Sequence, residues 1–248
     1  MAGHSKWKQI KRQKGVTDAK RSQVFTKLGR EVTVAAKHGG ADPEMNPRLR
    51  LAIEKAREAN MPKENIERAI SKGSGEGTET NLEEIVYEGY GPGGAAIIIE
   101  ALTDNRNRTV SDIRNALAKA GGSLGEAGSV SWVFETRGVI TLDADGADAD
   151  DLALLAIDAG ADDVKIDDGA VEVYTKPDTL EDVRRALSEA GIGVASAEIA
   201  AMPKTTVSLD ARQAEQVLRL LDKLDELDDV QRVSSNADFP EEVLAAYA

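Results

Sequence analysis

The chain has 248 residues, of which 41 % are apolar, so it can form two or three domains with their own cores and does not have the composition of a disordered protein. With no cysteine, a disulfide framework, a thiolate metal site and a cysteine nucleophile are excluded. A net charge of −13, a polar N-terminus and no run of about 18 apolar residues predict a soluble, cytoplasmic protein without a signal peptide or membrane span.

The charge is distributed unevenly along the chain. Residues 1–75 carry 17 Lys and Arg against 8 Asp and Glu, a balance of +9, whereas residues 76–248 carry 14 against 36, a balance of −22. The two balances sum to −13. Because a basic segment on an acidic body attracts a polyanion at one end and repels it elsewhere, nucleic acid is the leading partner class.

The N-terminal quarter is predicted to be a basic arm followed by three helices. Residues 1–16 show no apolar period and contain no acid, which predicts a flexible arm. Apolar residues then recur at helical spacing from Thr17-Asp18 to Gly40, and Asn46-Pro47 and Pro62 begin two further helices. The apolar stripe of the first helix is Val24, Leu28, Val32 and Ala35/Ala36. Residues 73–80 are glycine-rich and polar, which is typical of a linker.

The rest of the chain alternates between strands and helices. Strands over 82–90 and 95–103 are joined by a glycine-rich turn, and a helix and a strand over 129–134 follow. Residues 138–201 have the order βαββαβ, and residues 205–235 the order βαβ. We therefore predict an α+β fold, with a helical N-terminal domain followed by two ferredoxin-like α+β domains, the third inserted into the second. The predicted domains are 1–80, 81–135 plus 205–248, and 136–204.

The arm and the first helix are the strongest candidate for a binding surface. Their first thirty residues hold nine Lys and Arg against one acid, and such side chains can neutralise phosphates and release counterions. The indole of Trp7 could stack on an unpaired base or pack on the helical bundle as a tether, and the arm could also be a solvated tail that binds nothing in particular. The predicted nucleic-acid-binding residues are Lys6, Trp7, Lys8, Lys11, Arg12, Lys14, Lys20, Arg21, Lys27 and Arg30.

A polar segment over 103–109 is a second candidate. It lies between an apolar strand and a helix, so one or two of its residues should cap that helix. Two arginines remain in an otherwise acidic domain. A partner-contact loop and a purely local structural role both stay open for its four central residues, Asn105, Arg106, Asn107 and Arg108.

No motif predicts catalysis, a metal or a cofactor. The turn at Gly91–Gly94 joins two strands, whereas a phosphate-binding P-loop opens a helix. The acidic segment 143–151 lacks the glycine and glutamate positions of a calcium-binding EF-hand, so we interpret it as an acidic loop that caps the next helix. His4 and His38 are far apart, and no nucleophile elbow or zinc-protease motif is present. We expect a protein that is not an enzyme.

Long segments of the chain resemble a known family. They read AGHSKWKQIKRQKGVTDAKRSQVFTKLGREVTVAAKHGG at 2–40, YEGYGPGGAAIIIEALTDNRNRT at 87–109 and SWVFETRGVI at 131–140, with Ala-Met-Pro at 201–203. These segments closely resemble the YebC/PmpR family. The resemblance implies a three-domain protein, with a helical N-terminal domain and two α+β domains arranged in a cleft.

The resemblance also implies a regulator of gene expression that binds nucleic acid. Its partner would be DNA, as for a transcriptional regulator working with the transcription machinery, or ribosomal RNA or tRNA, as for a translation factor that relieves ribosomes stalled at proline-rich stretches. The resemblance implies that the basic residues of 6–14, together with Lys20, Arg21, Lys27 and Arg30, contact the nucleic acid. The chain shows no recognition helix with a row of Arg, Asn and Gln, so the sequence gives little support to base-specific reading of DNA. A third alternative is an enzyme that uses the interdomain cleft.

Overall fold

The computed structural model describes residues 7, 18–75, 81–142, 148–167 and 170–247. Among these, the residues from 131 to 206 form one compact unit, and those up to 130 and from 207 onward form a second, larger unit. The three-domain boundaries expected from the sequence stay a prediction. Within the described residues, no helix is both long enough and apolar enough to cross a membrane.

The α-helices are α1 (Asp18–Gly39), α2 (Pro47–Glu58), α3 (Lys63–Gly73), α4 (Arg106–Lys119), α5 (Ala149–Asp158), α6 (Leu180–Glu189), α7 (Ala211–Asp225) and α8 (Glu241–Tyr247). The strands are β1 (Glu83–Tyr90), β2 (Ala96–Thr103), β3 (Ser123–Leu124), β4 (Phe134–Leu142), β5 (Asp163–Asp167), β6 (Ala170–Thr175), β7 (Val194–Pro203), β8 (Val207–Ser208), β9 (Val230–Ser235) and β10 (Ala237–Asp238). The predicted α+β class and the helical N-terminal region are confirmed.

The three N-terminal helices pack around a small apolar core in the larger unit. Asn46 caps α2, since its Oδ1 accepts the backbone N–H of Leu49 at 3.1 Å and its Nδ2 donates to the carbonyl of Ala35 at 2.8 Å. Pro47 occupies the first turn, where its missing N–H costs nothing. The stripe of α1 differs from the prediction at one position. Phe25 packs against the core and Val24 is exposed, because helical spacing back from Leu28 and Val32 reaches position 25.

The sheet of the larger unit has the strand order β3-β1-β2-β9 and is antiparallel throughout. Helices α4 and α7 contribute apolar residues to its core, together with α8 at the C-terminal end of the chain. The predicted hairpin turn between β1 and β2 is confirmed, as Tyr90 pairs with Ala96 across it. Gly93 and Gly94 adopt φ of 71° and 79° there, values in the left-handed region that favours glycine.

Residues 129–134, predicted to be a strand, are mostly not one. Ser131–Val133 form a 3₁₀ turn, and β4 begins at Phe134 and runs through the predicted strand start at 138. The run looked like a strand because Trp132 and Val133 have high strand propensity. The turn instead buries Val133 and leaves Trp132 69 % exposed. The short strands β3 and β10 and helix α8 were not predicted, since two to seven residues carry too little periodicity.

The 131–206 unit has the predicted βαββαβ order. Its sheet runs β5-β6-β4-β7, with the first strand, β4, paired to both the third and the fourth. This is the arrangement of a ferredoxin-like split βαβ fold. Helices α5 and α6 supply the inner layer of the core, which includes Leu152, Ala156, Leu180 and Leu187. Asp148 caps α5 by accepting the N–H of Asp150 at 2.9 Å, so the capping role of the acidic segment is confirmed at its described end.

Candidate nucleic-acid interface

The predicted nucleic-acid-binding residues fall into three groups in the structure. Lys6, Lys8, Lys11, Arg12 and Lys14 lie outside the described residues. Lys20 and Arg21 lie in the first turn of α1, and Arg21 is exposed. Trp7, Lys27 and Arg30 are engaged by side chains and carbonyls near the C-terminal end of α7, as the following contacts show.

Trp7 is part of the core of the larger unit. Its side chain is 2 % exposed and belongs to the apolar cluster that includes Leu218 and Leu221 of α7. Its Nε1 donates to Oδ1 of Asp222 at 2.9 Å. A buried indole cannot stack on a base, so the stacking interpretation is wrong for this conformation. The tether interpretation fits, although Trp7 joins the core beneath α7 rather than the helical bundle.

The carboxylate that holds Trp7 also holds the C-terminal helix. Oδ2 of Asp222 accepts the hydroxyl of Tyr247 at 2.6 Å. Burial raises the pKa of Tyr247 well above its ordinary value, and the hydrogen bond to the carboxylate raises it further. One side chain of α7 therefore fixes a residue near each end of the chain.

Lys27 and Arg30 contact the acidic C-terminal end of α7 and the loop that follows it. The ammonium of Lys27 lies 3.5 Å from a carboxylate oxygen of Asp225 and also donates to the carbonyl of that residue. Arg30 donates to the carbonyl of Asp228 at 2.7 Å and to Oδ1 of Asp229 at 2.6 Å. These two side chains make intramolecular contacts instead of forming a free basic face, and their contact with nucleic acid stays a prediction.

Asp229 is the centre of this network. Its side chain is 7 % exposed, and its Oδ2 accepts the hydroxyls of Thr109 at 2.7 Å and Thr103 at 3.2 Å. Arg108 donates to the same oxygen at 2.9 Å and also to Oδ1 at 3.0 Å, the oxygen that Arg30 contacts. Burial alone would raise the pKa of Asp229, but the hydrogen bonds from Thr109, Arg108 and Arg30 outweigh it, and the pKa is lowered. The carboxylate is therefore ionised at neutral pH.

The polar segment predicted to be a partner-contact loop is mostly helical. Asn105 is the N-cap of α4, and its Oδ1 accepts the N–H of Arg108 at 3.1 Å. Arg106, Asn107 and Arg108 form the first turn of that helix, because the cap allows the helix to begin directly after β2. Arg108 also lies 2.9 Å from Asp104 in addition to its contact with Asp229. Arg106 is exposed, and a partner contact there stays a prediction.

A cleft of about 500 Å³ lies beside this network in the larger unit. Arg30 and Arg108 are its lining arginines, and five carboxylate side chains line it as well. Because acids outnumber bases and both arginines are already paired, the cleft is unsuited to a phosphate group.

The acidic residues that hold Lys27 and Arg30 were missed from the sequence, although a signal was present. The last turn of α7 and the residue after it carry Asp222, Asp225 and Glu226 against one cation, Lys223, which pairs with Glu226. Negative charge is unfavourable at a helix C-terminus unless cations lie nearby. The charge pattern thus predicts a basic neighbour, but it does not say which basic segment of the chain supplies it.

The chain matches two family models over most of its length. Residues 5–76 match the TACO1/YebC protein N-terminal domain, and residues 82–237 match the TACO1/YebC second and third domain. A probable transcriptional regulatory protein of Dehalococcoides mccartyi is 57 % identical over 247 residues, covering 100 % of this chain and 98 % of that protein. One of Dictyoglomus turgidum is 51 % identical over 245 residues, with 98 % of each chain covered.

A solved structure also matches. The crystal structure of a conserved hypothetical protein from Aquifex aeolicus superimposes with a TM-score of 0.86 at 47 % sequence identity, covering 92 % of this chain and 94 % of the other.

Proposed function

Since the chain belongs to the TACO1/YebC family, we propose that it is a non-enzymatic regulator of gene expression. It acts as a DNA-binding transcriptional regulator and binds nucleic acid through its basic N-terminal segment. The relatives named probable transcriptional regulatory proteins support the regulatory role. The observation that carries the binding role is the charge balance of +9 over residues 1–75 against −22 over the rest. A polyanion is attracted to the first region and repelled by the second.

The anchoring of Trp7 supports this role in a second way. Trp7 is fixed in the core, and α1 begins at Asp18. In the sequence, Lys8, Lys11, Arg12 and Lys14 lie between these two points, with no acid among them. A binding segment whose flanking residues are already fixed loses less entropy when it binds. Trp7 thus acts as a positioning residue for the basic segment and does not itself contact the nucleic acid.

The shifted pKa values have structural causes and therefore do not by themselves indicate an active site. The carboxyl of Asp229 and the hydroxyl of Tyr247 both have shifted pKa values. Each is engaged by side chains that hold helices in place. Perturbed groups of this kind are typical of structural networks as well as of active sites.

The test is a salt titration of binding. Affinity for a labelled duplex of arbitrary sequence is measured by fluorescence anisotropy at several salt concentrations, for the full chain and for a variant with Lys6, Lys8, Lys11, Arg12 and Lys14 changed to alanine. If each side chain contacts one phosphate, the log–log salt slope falls by about 4 to 5 in magnitude, at about 0.9 per duplex contact. An unchanged slope would refute the role of the segment.

The matched control removes the same number of charges elsewhere. It changes to alanine five exposed basic residues outside residues 1–75, namely Arg114, Lys119, Arg185, Arg219 and Lys223. The control should keep the slope of the unmodified chain. A slope that falls equally in both variants would mean that net charge alone governs binding.

A second candidate is a translation factor that binds ribosomal RNA or tRNA. The contacts of Lys27 and Arg30 favour it, because α1 does not present them for reading base edges in a major groove. The remaining basic segment suits contact with a phosphate backbone, which DNA and structured RNA share. Ultraviolet crosslinking in living cells, followed by sequencing of the bound DNA and RNA, separates the two. Discrete promoter DNA supports the first candidate, and one ribosomal or tRNA location supports the second.

A further inference from the structure

Helix α5 is apolar on its outer side as well as its inner side. Leu152 and Ala156 point into the core of the 131–206 unit. Leu154, Leu155 and Ile157 are 66 %, 45 % and 49 % exposed. Single exposed apolar residues are ordinary, but three exposed leucine and isoleucine side chains on one short helix form a patch of the kind found at interaction sites. The outer side of α5 thus has the composition of a surface that another molecule covers.

The charge along this stretch of the sequence has one sign. No Lys or Arg occurs between Arg137 and Lys165, and eight Asp lie in that interval. Within α5 itself, Asp150, Asp151 and Asp158 are exposed together with the three apolar side chains. The last turn of α5 contains no basic residue, so Asp158 lies at the negative end of the helix dipole without a cation from its own turn.

We propose that this surface, the α5 face formed by Leu154, Leu155, Ile157, Asp150, Asp151 and Asp158, docks a basic amphipathic segment of a partner protein. Apolar anchors of the partner would cover the leucines and the isoleucine, and its Lys or Arg side chains would pair with the aspartates and offset the dipole at Asp158. Leu154 and Ile157 are three residues apart and therefore adjacent on the helix surface, a spacing that fits the apolar stripe of a partner helix.

The same features disfavour other occupants. Phosphate groups of DNA or RNA would be repelled by the three aspartates. A symmetric contact between two copies of this chain would place each α5 face on itself and bring aspartates against aspartates. A basic protein segment satisfies both the apolar and the charged parts of the surface.

The test uses a labelled amphipathic peptide of about 18 residues with a leucine stripe and a lysine rim, and a counterpart with glutamate in place of lysine. Fluorescence anisotropy measures the affinity of each for the full chain. The lysine peptide should bind, and the glutamate peptide should not. The variant Leu154→Ala, Ile157→Ala should lose about tenfold or more in affinity for the lysine peptide, as expected when two anchor side chains are truncated. Alanine at exposed helix positions keeps the helix intact, and circular dichroism checks the fold.

The matched control is Met45→Ala, Val86→Ala, which truncates two side chains that are somewhat more exposed than Leu154 and Ile157 and lie in the larger unit. It should bind the lysine peptide as the unmodified chain does. A second variant, Asp150→Asn, Asp151→Asn, Asp158→Asn, should bind more weakly and with a smaller salt dependence. Equal affinity of all variants would overturn the proposal, as would equal binding of both peptides. Self-association that the Leu154→Ala, Ile157→Ala variant abolishes, measured by sedimentation, would also overturn it, because the occupant would then be a second copy.

Discussion

Replacing Asp229 by asparagine should destabilise the larger unit by about 2–3 kcal/mol at neutral pH. The substitution keeps the shape of the side chain but removes its charge, and it replaces one acceptor oxygen by a donor that faces arginine or threonine donors. A fully buried ion pair that loses one partner costs about 3–5 kcal/mol. Here the side chains of Arg30 and Arg108 are 20 % and 46 % exposed. Water can therefore hydrate both arginines once Asp229 is replaced, and the loss of stability is smaller than for a fully buried pair.

The effect should depend on pH in a defined direction. The pKa of Asp229 is lowered from its ordinary value of 3.8, so the ionised carboxylate stabilises the fold above that value. This stability is lost as the pH falls through the lower pKa of the folded state. The difference in unfolding free energy between the unmodified chain and Asp229→Asn should therefore be constant above about pH 5 and should shrink progressively below about pH 4.

Urea unfolding followed by circular dichroism at several pH values measures both effects. Asp228→Asn is the matched control, since Asp228 is the exposed neighbour and contacts Arg30 through its backbone carbonyl. The control should change stability by no more than about 0.5 kcal/mol. The reasoning is refuted if the two variants are equally stable, or if the deficit of Asp229→Asn is undiminished at pH 3.

Three further substitutions test other parts of the structure. Trp7→Ala removes a buried indole, so it should lower the free energy of unfolding in urea by about 3–5 kcal/mol and weaken nucleic-acid binding. The control Trp132→Ala should change the free energy of unfolding by less than about 0.5 kcal/mol. Tyr247→Phe removes a hydrogen bond to a carboxylate and should cost about 1.5 kcal/mol, a deficit that shrinks above about pH 10 because the raised pKa keeps the folded hydroxyl protonated where the unfolded one ionises. Gly93→Ala would place a Cβ 2.5 Å from a leucine methyl and should lower the melting temperature more than Gly94→Ala, which meets no atom within 4 Å.

The regular elements could be predicted because their patterns are long. Helix α1 and the βαββαβ order, which the structure places at 134–203, extend over many turns and strands, so the apolar periods and the turn residues indicate the same elements. The turn at Ser131–Val133 could not be predicted in the same way. Its apolar residues resemble a strand, and only the fold shows that Trp132 is exposed while Val133 is buried.

The candidate interface was only partly predictable, for a different reason. The excess of basic residues in the first thirty positions is visible in the sequence. Some of these residues bind partners within the chain that lie about 200 residues away in the sequence, as Trp7 does with Asp222 and Arg30 with Asp229. Local pattern carries no information about such distant partners, so it could not separate Trp7, Lys27 and Arg30 from the rest of the basic segment.

The larger unit is built from residues up to 130 and from 207 onward. This discontinuity determines which unit can fold first while the chain is being synthesised on the ribosome. The 131–206 unit is continuous in sequence and can fold once its last strand has emerged. The sheet of the larger unit needs β9 beside β2, and the site that receives Trp7 needs Asp222 and Tyr247. The indole of Trp7 therefore reaches its site only after Asp222, 215 residues later in the sequence, has been made.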